Sequence, residues 1–253
     1  MSSDTIEAAV DLVRGSDDVV GFTGAGASTE SGIPDFRSPG GLWDRYDPSD
    51  FTIQALRRDP VAYWEKRLEM RENQEFDWNA VEPNPAHEAL AALEAAGVLS
   101  TLITQNVDGL HQAAGSENVL ELHGSRRAAK CLHCERRLPL ETLDRKLTEE
   151  PLPPRCDDCD GLLKRATVSF GEALPRDVLM AAKRAATECD CFLTVGSSLT
   201  VEPAASMPRI ASRNGASLVV VNLEPTGIDD RADVVIHAKA GETLSELADG
   251  VLG

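Results

Sequence analysis

Six short apolar runs constrain the fold of this chain more than any other feature. They are rich in valine, isoleucine and leucine, and they alternate with stretches whose composition is typical of helices. Buried parallel strands have this near-continuous apolar character because helices cover both faces of their sheet. The pattern therefore predicts an α/β fold with a Rossmann-like, doubly wound parallel sheet. The predicted strands are residues 19–23, 99–104, 119–122, 191–195, 218–222 and 234–236.

Two segments interrupt this alternation. One is charged and holds all three tryptophans, which favours a helical module, and the other holds two cysteine pairs. Alanine-rich stretches at 85–96 and 177–188 are predicted helices of the main domain. The predicted parts are a Rossmann-like domain formed by residues 1–38, 84–125 and 166–253, a helical module at 39–83 and a cysteine-bearing module at 126–165.

Charge is the most unusual property of the composition, with a formal net charge of −17 at pH 7. Nonspecific binding to nucleic acid requires clustered lysine and arginine, so we expect no direct nucleic-acid partner. No apolar stretch reaches the roughly 18 residues that span a bilayer, and the first twenty residues lack the layout of a signal peptide. We therefore expect a cytoplasmic monomer without membrane contact. Dispersed acidic residues and scarce lysine, six against nineteen arginines, suggest the hypothesis of a high-salt cytoplasm.

A glycine turn follows the first predicted strand. The segment Gly24-Ala25-Gly26 leads toward a helix, where free backbone N–H groups can hold a dinucleotide pyrophosphate. Thr29 stands where the dehydrogenase fingerprint has its third glycine, so a tight turn of an ordinary α/β protein explains the glycines equally well. Phe36 can cover a ring of the dinucleotide, and Arg37 can meet phosphate or ribose.

Two further predicted strands end in residues suited to catalysis. Asn106 and Asp108 follow the second strand, and their side chains can bind a carboxamide such as that of nicotinamide. A capped helix start explains this pair as well. His123 follows the third strand, and an imidazole is the natural general base near neutral pH. Since the carboxyl ends of parallel strands meet at one edge, we predict that these side chains are neighbours. The other four histidines are expected to be structural.

Four of the six cysteines form two C-x-x-C pairs separated by 21 residues. This spacing is close to that of zinc ribbons, and four thiolates suit a tetrahedral zinc. Because four thiolates leave no open coordination position, the metal is expected to be structural. A redox-active dithiol pair is the alternative. The predicted ligands are Cys131, Cys134, Cys156 and Cys159.

Seven motifs in order resemble the sirtuin family of NAD-dependent protein deacylases, over residues 19–240. The resemblance implies a large Rossmann-like domain beside a zinc-binding and a helical module, with an acyl-lysine peptide in the cleft between them. It also implies the reaction. The acyl oxygen attacks the anomeric carbon of the nicotinamide ribose, nicotinamide leaves, and His123 deprotonates a ribose hydroxyl so that the acyl group passes to ADP-ribose. The motifs are G-A-G-A-S-x-x-S-G-I-P-D-F-R-S, T-Q-N-V-D-x-L-H, L-H-G-S, the two C-x-x-C pairs, F-G-E, G-S-S-L-x-V-x-P and V-N-L-E.

The resemblance also implies roles for individual residues. His123, Asn106 and Asp108 would be catalytic, NAD would be a co-substrate and zinc would be structural. The segment with Val168, Phe170 and Gly171, together with the loop through Val201, would pair with the substrate as an added strand. The implied cofactor contacts are Gly24, Ala25, Gly26, Thr29, Phe36, Arg37, Gln105, Asn106, Val107, Asp108, Gly196, Ser197, Ser198, Asn222, Leu223, Glu224 and Ala240.

Departures from the family's usual pattern bear on the substrate. Lys164-Arg165 stands where relatives usually read Arg-Pro, and Ser169 replaces the bulky residue that commonly precedes the phenylalanine. Members that prefer acidic acyl groups such as succinyl carry a Tyr and an Arg three residues apart in the helical module. We align these positions with Arg67 and Met70, so the pair is absent, which favours acetyl or another neutral acyl group.

Two other functions fit the same motifs. Mono-ADP-ribosyl transfer to a protein uses the same cleavage of NAD, and a noncatalytic module that binds NAD and zinc would need the same loops. The intact Asn106, Asp108 and His123 argue against a noncatalytic module. NAD-dependent deacetylation or deacylation of protein lysine is therefore the predicted function.

Overall fold

The computed structural model describes residues 3–35, 41–73, 78 and 80–253. Phe36 and Arg37 lie outside the described residues, so their cofactor contacts stay predictions. No helix in these ranges combines the length and the apolar character needed to cross a membrane. The strands are β1 (Val19–Thr23), β2 (Leu99–Thr104), β3 (Val119–Glu121), β4 (Gly124–Cys131), β5 (Arg137–Pro139), β6 (Leu163–Thr167), β7 (Cys191–Val195), β8 (Ser217–Val221) and β9 (Val234–Ile236).

Six of these strands form one parallel sheet in the order β3-β2-β1-β7-β8-β9. They are the six predicted apolar runs, with ends that differ by at most one residue, and the predicted fold class is confirmed. The winding direction reverses between β1 and β7. Ligands of such sheets bind outside the carboxyl ends of the strands at this reversal, which lies directly after the glycine turn.

Helices cover both faces of the sheet. The α-helices are α1 (Ser3–Arg14), α2 (Leu42–Arg45), α3 (Ile53–Arg58), α4 (Pro60–Glu72), α5 (Pro85–Ala95), α6 (Leu110–Ala113), α7 (Leu140–Glu149), α8 (Arg176–Glu188), α9 (Met207–Arg213) and α10 (Ala240–Leu252). The strand residues alternate between two apolar layers: Val19 packs in the layer formed with α1, α5 and α10, whereas Val20 and Phe22 pack in the layer formed with α8 and α9. This two-sided burial fixes the register of the strands, and with it the position of every loop at their carboxyl ends.

A smaller antiparallel sheet with the order β5-β4-β6 carries the cysteines. Its strands reach from Gly124 to Thr167, slightly beyond the predicted module, whose bounds remain a prediction. Leu56 and Trp64 of the helical segment share one apolar cluster with Leu143 and Leu163 of the cysteine-bearing segment. Because each fully buried apolar side chain stabilises by roughly 1.5–3 kcal/mol, the two inserted segments support one another beside the main sheet.

Candidate active site

A cavity of about 1450 Å³ extends along the carboxyl ends of the parallel strands and continues between the two inserted segments. It exceeds the roughly 300–1,000 Å³ of most small-molecule sites, so it has room for a dinucleotide together with a substrate side chain. Gly24 lies outside its lining. The other described residues with predicted catalytic, cofactor or peptide contacts line it: Ala25, Gly26, Thr29, Gln105, Asn106, Val107, Asp108, His123, Val168, Phe170, Gly171, Gly196, Ser197, Ser198, Val201, Asn222, Leu223, Glu224 and Ala240.

The loops after β1 and β7 touch backbone to backbone. The Gly26 N–H donates to the Gly196 carbonyl at 2.8 Å, and a Cβ on Gly26 would lie 2.8 Å from Gly196 Cα. Gly196 has a φ of +60°, and a Cβ there would lie 2.3 Å from the Ala27 nitrogen. Glycine is therefore required on both sides of this contact. Because neither glycine carries a side chain, backbone groups form the floor of the cavity at this contact. A dinucleotide phosphate needs such a floor, since it must approach the backbone closely.

Asn106 is buried below the glycine turn. Its amide nitrogen donates to the Gly24 carbonyl and to Ser28 Oγ, each at 3.0 Å. These bonds occupy both amide hydrogens, so the side-chain oxygen is the group that Asn106 can offer to an N–H or O–H of a ligand.

Asp108 belongs to a hydrogen-bonded chain that the sequence does not reveal. Its Oδ2 accepts from Ser28 Oγ at 2.8 Å, and Ser28 Oγ lies 3.4 Å from Nε2 of His87. The Asn84 N–H donates to Nδ1 of His87, so the neutral ring carries its proton on Nε2 and donates toward Ser28. Burial lowers the pKa of His87, and the nearby Asp108 opposes that effect. The sequence predicts a structural role for His87 and gives Ser28 no role of its own. Only the adjacency of Ser28 to the glycine turn pointed to it.

His123 lies at the carboxyl end of β3 with one nitrogen fixed. Nδ1 lies 2.9 Å from the Gln105 carbonyl, which can only accept, so Nδ1 carries the proton and the lone pair of the neutral ring is on Nε2. Burial lowers the pKa of His123, and the bond to Gln105 opposes part of this shift. The ring is therefore a neutral proton acceptor at physiological pH, and it lines the same cavity as Asn106 and Asp108.

Gln105 connects this histidine to the next strand end. Its side-chain oxygen accepts a hydrogen bond from Ser197 Oγ at 2.6 Å, and its backbone N–H donates to the Thr23 carbonyl. The ends of β1, β2, β3 and β7 are thus held together by side-chain and main-chain bonds. The strand ends therefore meet at one edge of the sheet, as the sequence predicts.

At the other end of the cavity, the loop after β8 is shaped by its own side chains. Asn222 Nδ2 donates to the Glu224 carbonyl at 2.6 Å, while Leu223 is exposed. Glu30 of the glycine-turn segment accepts from the Gly241 N–H at 2.7 Å. This bond places a carboxylate at the start of α10, next to Ala240, where the helix dipole favours negative charge.

The segment predicted to pair with a peptide borders the cavity. The Val168 N–H donates to the His123 carbonyl, and the Phe170 carbonyl accepts from the Ile53 N–H, so an added peptide strand would have to use the Val168 carbonyl and the Phe170 N–H. Glu172 anchors this segment, because its carboxylate accepts from Lys130, from Lys164 at 2.8 Å and from the Ser169 N–H. Burial lowers the pKa of Lys164 to about 8, although Glu172 opposes that effect.

The four cysteines of the two C-x-x-C pairs come together, with all four sulfurs within 4.8 Å of one another. Cys131 Sγ lies 3.5 Å from Cys159 Sγ, and Cys134 Sγ lies 3.9 Å from Cys156 Sγ. A tetrahedral zinc with bonds of about 2.3 Å requires sulfurs roughly 3.8 Å apart. The donor set and its dimensions therefore fit a structural zinc, at a position separate from the cavity lining.

Comparisons with known proteins agree with this geometry. A model of the Sir2 family matches residues 24–203. The NAD-dependent protein deacetylase of Caldivirga maquilingensis is 46% identical over 242 residues, which cover 96% of this chain and 92% of the relative. The NAD-dependent protein deacetylase of Haloarcula marismortui is 44% identical over 250 residues, 98% of this chain and 95% of the relative. A solved Sir2 structure with a deacetylated p53 peptide and 3′-O-acetyl ADP-ribose is similar with a TM-score of 0.88 and 37% identity, covering 97% of this chain and 98% of that chain.

Proposed function

Because this chain belongs to the Sir2 family of sirtuins, we propose that the cavity is its active site and that His123, Asn106 and Asp108 are its catalytic residues. The chain is an NAD-dependent protein deacetylase or deacylase. It transfers the acyl group from lysine to ADP-ribose and releases nicotinamide. The zinc held by its four cysteines is structural.

The observation that carries this proposal is the state of His123. NAD supplies the leaving nicotinamide and the ribose hydroxyl that takes up the acyl group. Since Nδ1–H of His123 is bound to the Gln105 carbonyl, Nε2 is the atom that accepts a proton. Its lowered pKa keeps Nε2 unprotonated at neutral pH. His123 is therefore suited to deprotonate the ribose hydroxyl after nicotinamide has left.

Asn106 and Asp108 act on the nicotinamide side of the cavity in this proposal. The Asn106 oxygen offers an acceptor, and the Asp108 carboxylate is held in place by Ser28 and by the Leu110 N–H. Both groups are preorganised by bonds within the chain, so little entropy is lost when a ligand binds. The remaining cofactor contacts and the peptide contacts at Val168, Phe170, Gly171 and Val201 are part of the same proposal.

We also propose a cytoplasmic monomer whose partners are acyl-lysine proteins and not nucleic acids. The support is the net charge of −17, which repels polyanions and favours basic, lysine-bearing segments. The high-salt cytoplasm belongs to this proposal too.

The products of a single incubation test the function. The protein is mixed with NAD and an acetyl-lysine peptide, and both small-molecule and peptide products are identified by mass spectrometry. We expect equal amounts of deacetylated peptide, nicotinamide and O-acetyl-ADP-ribose. ADP-ribosylated protein without O-acetyl-ADP-ribose would indicate mono-ADP-ribosyl transfer, and bound but unchanged NAD would indicate a noncatalytic module.

A further inference from the structure

A buried lysine contacts both ends of the segment that is proposed to bind the peptide. We call residues 168–171 the peptide-pairing segment. Lys164 lies in β6, just before this segment, and its side chain is only 2% exposed. Since the removal of an ammonium group from water is costly, lysine is almost never fully buried unless it is paired. The proposed reaction does not use Lys164, so its burial indicates another role.

The ammonium group of Lys164 joins the residues on either side of the peptide-pairing segment. Nζ donates to the Thr167 carbonyl at 2.5 Å and to Glu172 Oε2 at 2.8 Å. Thr167 directly precedes the segment, and Glu172 directly follows it. One side chain therefore fixes the distance between the two ends of the segment, and this fixed distance limits the conformations that the four residues can adopt.

Glu172 extends this connection into the middle of the segment. Its Oε2 also accepts from the Ser169 N–H at 3.0 Å, and its own N–H donates to the Ser169 carbonyl at 3.0 Å. Lys130 of β4 holds the other carboxylate oxygen. Burial alone would raise the pKa of Glu172, but the bonds from Lys130 and Lys164 lower it below its ordinary value. The carboxylate that shapes the segment is therefore ionised at neutral pH.

Main-chain bonds connect the peptide-pairing segment to the rest of the cavity. The Val168 N–H donates to the His123 carbonyl at 2.7 Å, and the Phe170 carbonyl accepts from the Ile53 N–H at 3.0 Å. The Val168 carbonyl and the Phe170 N–H are thus the groups that an added strand would use. Strand addition derives its affinity from main-chain hydrogen bonds, and these bonds weaken steeply when their geometry is distorted. Peptide binding therefore depends on exact placement of this segment.

We propose that Lys164 is a positioning residue for the acyl-lysine peptide, because its ammonium group, paired with Glu172, holds the peptide-pairing segment in the geometry that accepts an added strand. This inference rests on the proposed function. It concerns the peptide and not NAD, since the glycine turn that is proposed to hold NAD is bonded instead to the loop after β7. Loss of the pair should therefore weaken peptide binding selectively.

The charged groups around Lys164 make this pairing sensitive to pH. Burial lowers the pKa of Lys164 to about 8, although the bond to Glu172 opposes this effect. The positive charges of Lys130 on β4 and Arg67 on α4 also contribute to the lowered value. Lys164 is therefore mainly an ammonium group below a pH of about 8 and mainly a neutral amine above it. Because a neutral donor binds a carboxylate less strongly, the KM for the peptide should rise as pH increases through this value.

The test measures KM for NAD and for a capped acetyl-lysine peptide without other titratable groups. At pH 7, Lys164→Met should raise the KM for the peptide by roughly tenfold, because Glu172 loses a charge-assisted bond, and should leave the KM for NAD within about twofold. Between pH 7 and 9, the wild-type KM for the peptide should rise by roughly fivefold. Lys164→Arg stays charged over this range and should remove the rise. The control Lys183→Met, on α8 outside the cavity lining, should behave as wild type.

An unchanged KM for the peptide in Lys164→Met would overturn the proposal, as would equal increases in KM for the peptide and for NAD, which indicate a general structural defect. The same alkaline rise in Lys164→Arg as in wild type would also overturn it, and this comparison decides if Lys164→Met does not fold. Calorimetric binding of the acetyl-lysine peptide at pH 7 and 9 to wild type and Lys164→Arg gives a readout without turnover. If no peptide is turned over, the proposed function fails, and the calorimetric comparison still decides the inference.

Discussion

At the scale of single residues, three histidines show that surroundings decide what an imidazole can do. His123 has one nitrogen fixed by the Gln105 carbonyl, and its ring lines the cavity. His87 and His111 are fully enclosed, with ring centres 4.8 Å apart, and His111 Nε2 lies 2.8 Å from Thr23 Oγ1. All three have lowered pKa values, mainly through burial. Of these three histidines, His123 is the one that lines the cavity.

The lowered pKa of His123 predicts the acidic limb of the pH profile. Because the neutral ring is the proposed base, activity should persist to pH values below about 6.5, the ordinary pKa of histidine, and fall only when the ring becomes protonated. The measurement is kcat/KM for an acetyl-lysine peptide between pH 5 and 9. A midpoint of the acidic limb above 6.5 would contradict the role of burial at this site.

His111 predicts a loss of stability in acid. Burial, followed by the neighbouring His87, lowers its pKa to about 3, so the folded protein excludes a proton that the unfolded chain binds below pH 6.5. Its contribution to stability is complete above pH 6.5 and is lost as pH falls from 6.5 toward 3, by roughly 1.4 kcal/mol per unit. His111→Gln should flatten the pH dependence of the unfolding free energy in urea between pH 6.5 and 5. An equal slope in both proteins would argue against this assignment.

At the scale of elements, the sequence predicts most of the sheet but little of the side-chain network. The strands were predictable because two-sided burial leaves a local signature in each run, as in β1, whose five residues are all buried. For the same reason, the residues after β2 and β3 were predictable as neighbours at the carboxyl edge of the sheet, where they line the cavity. The bonds from Ser28 to Asp108 and His87 join residues 80 and 59 positions apart. No local pattern encodes such contacts.

The glycine contact between the loops after β1 and β7 gives a prediction for one substitution. Gly26→Ala would place a Cβ 2.8 Å from Gly196 Cα, so the loops must separate, at a cost of roughly 1–3 kcal/mol. We expect a raised KM for NAD and a lowered melting temperature. Gly227→Ala is the matched control, since a Cβ there meets nothing within 4 Å. Equal KM values for NAD in both variants would exclude this contact as a determinant of cofactor binding.

At the scale of the whole molecule, the cysteine-bearing segment supports more than its own sheet. It shares an apolar cluster with α3 and α4, and side chains of α4 line one wall of the cavity. Zinc therefore stabilises one wall of the cavity while remaining outside the reaction itself.

Removal of zinc should therefore destabilise the fold, because zinc stabilises the protein and takes no part in the reaction. A chelator or Cys134→Ala should lower the melting temperature by about 10 °C or more. In a domain of this size, each 1 kcal/mol lost from the free energy of unfolding lowers the melting temperature by roughly 2–4 °C. Zinc content by elemental analysis and melting by calorimetry check this. A metal-free protein with unchanged melting would contradict the structural assignment.

The overall charge makes a prediction of its own. With a net charge of −17, repulsion between like charges opposes folding at low ionic strength. Salt screens this repulsion, since the Debye length is about 3 Å at 1 M. The melting temperature should rise as KCl is increased from 0.1 to 2 M. A melting temperature that stays constant or falls as KCl is increased would remove the support for a high-salt cytoplasm.

The most direct test of the proposed role of His123 separates the two halves of the reaction in His123→Ala. Labelled nicotinamide and an acetyl-lysine peptide are incubated with NAD and either protein, and both label exchange into NAD and peptide deacetylation are measured. Wild-type protein should do both, whereas His123→Ala should exchange nicotinamide but form no deacetylated peptide, because the proposed base acts after nicotinamide has left. Deacetylation by His123→Ala at the wild-type rate would contradict it.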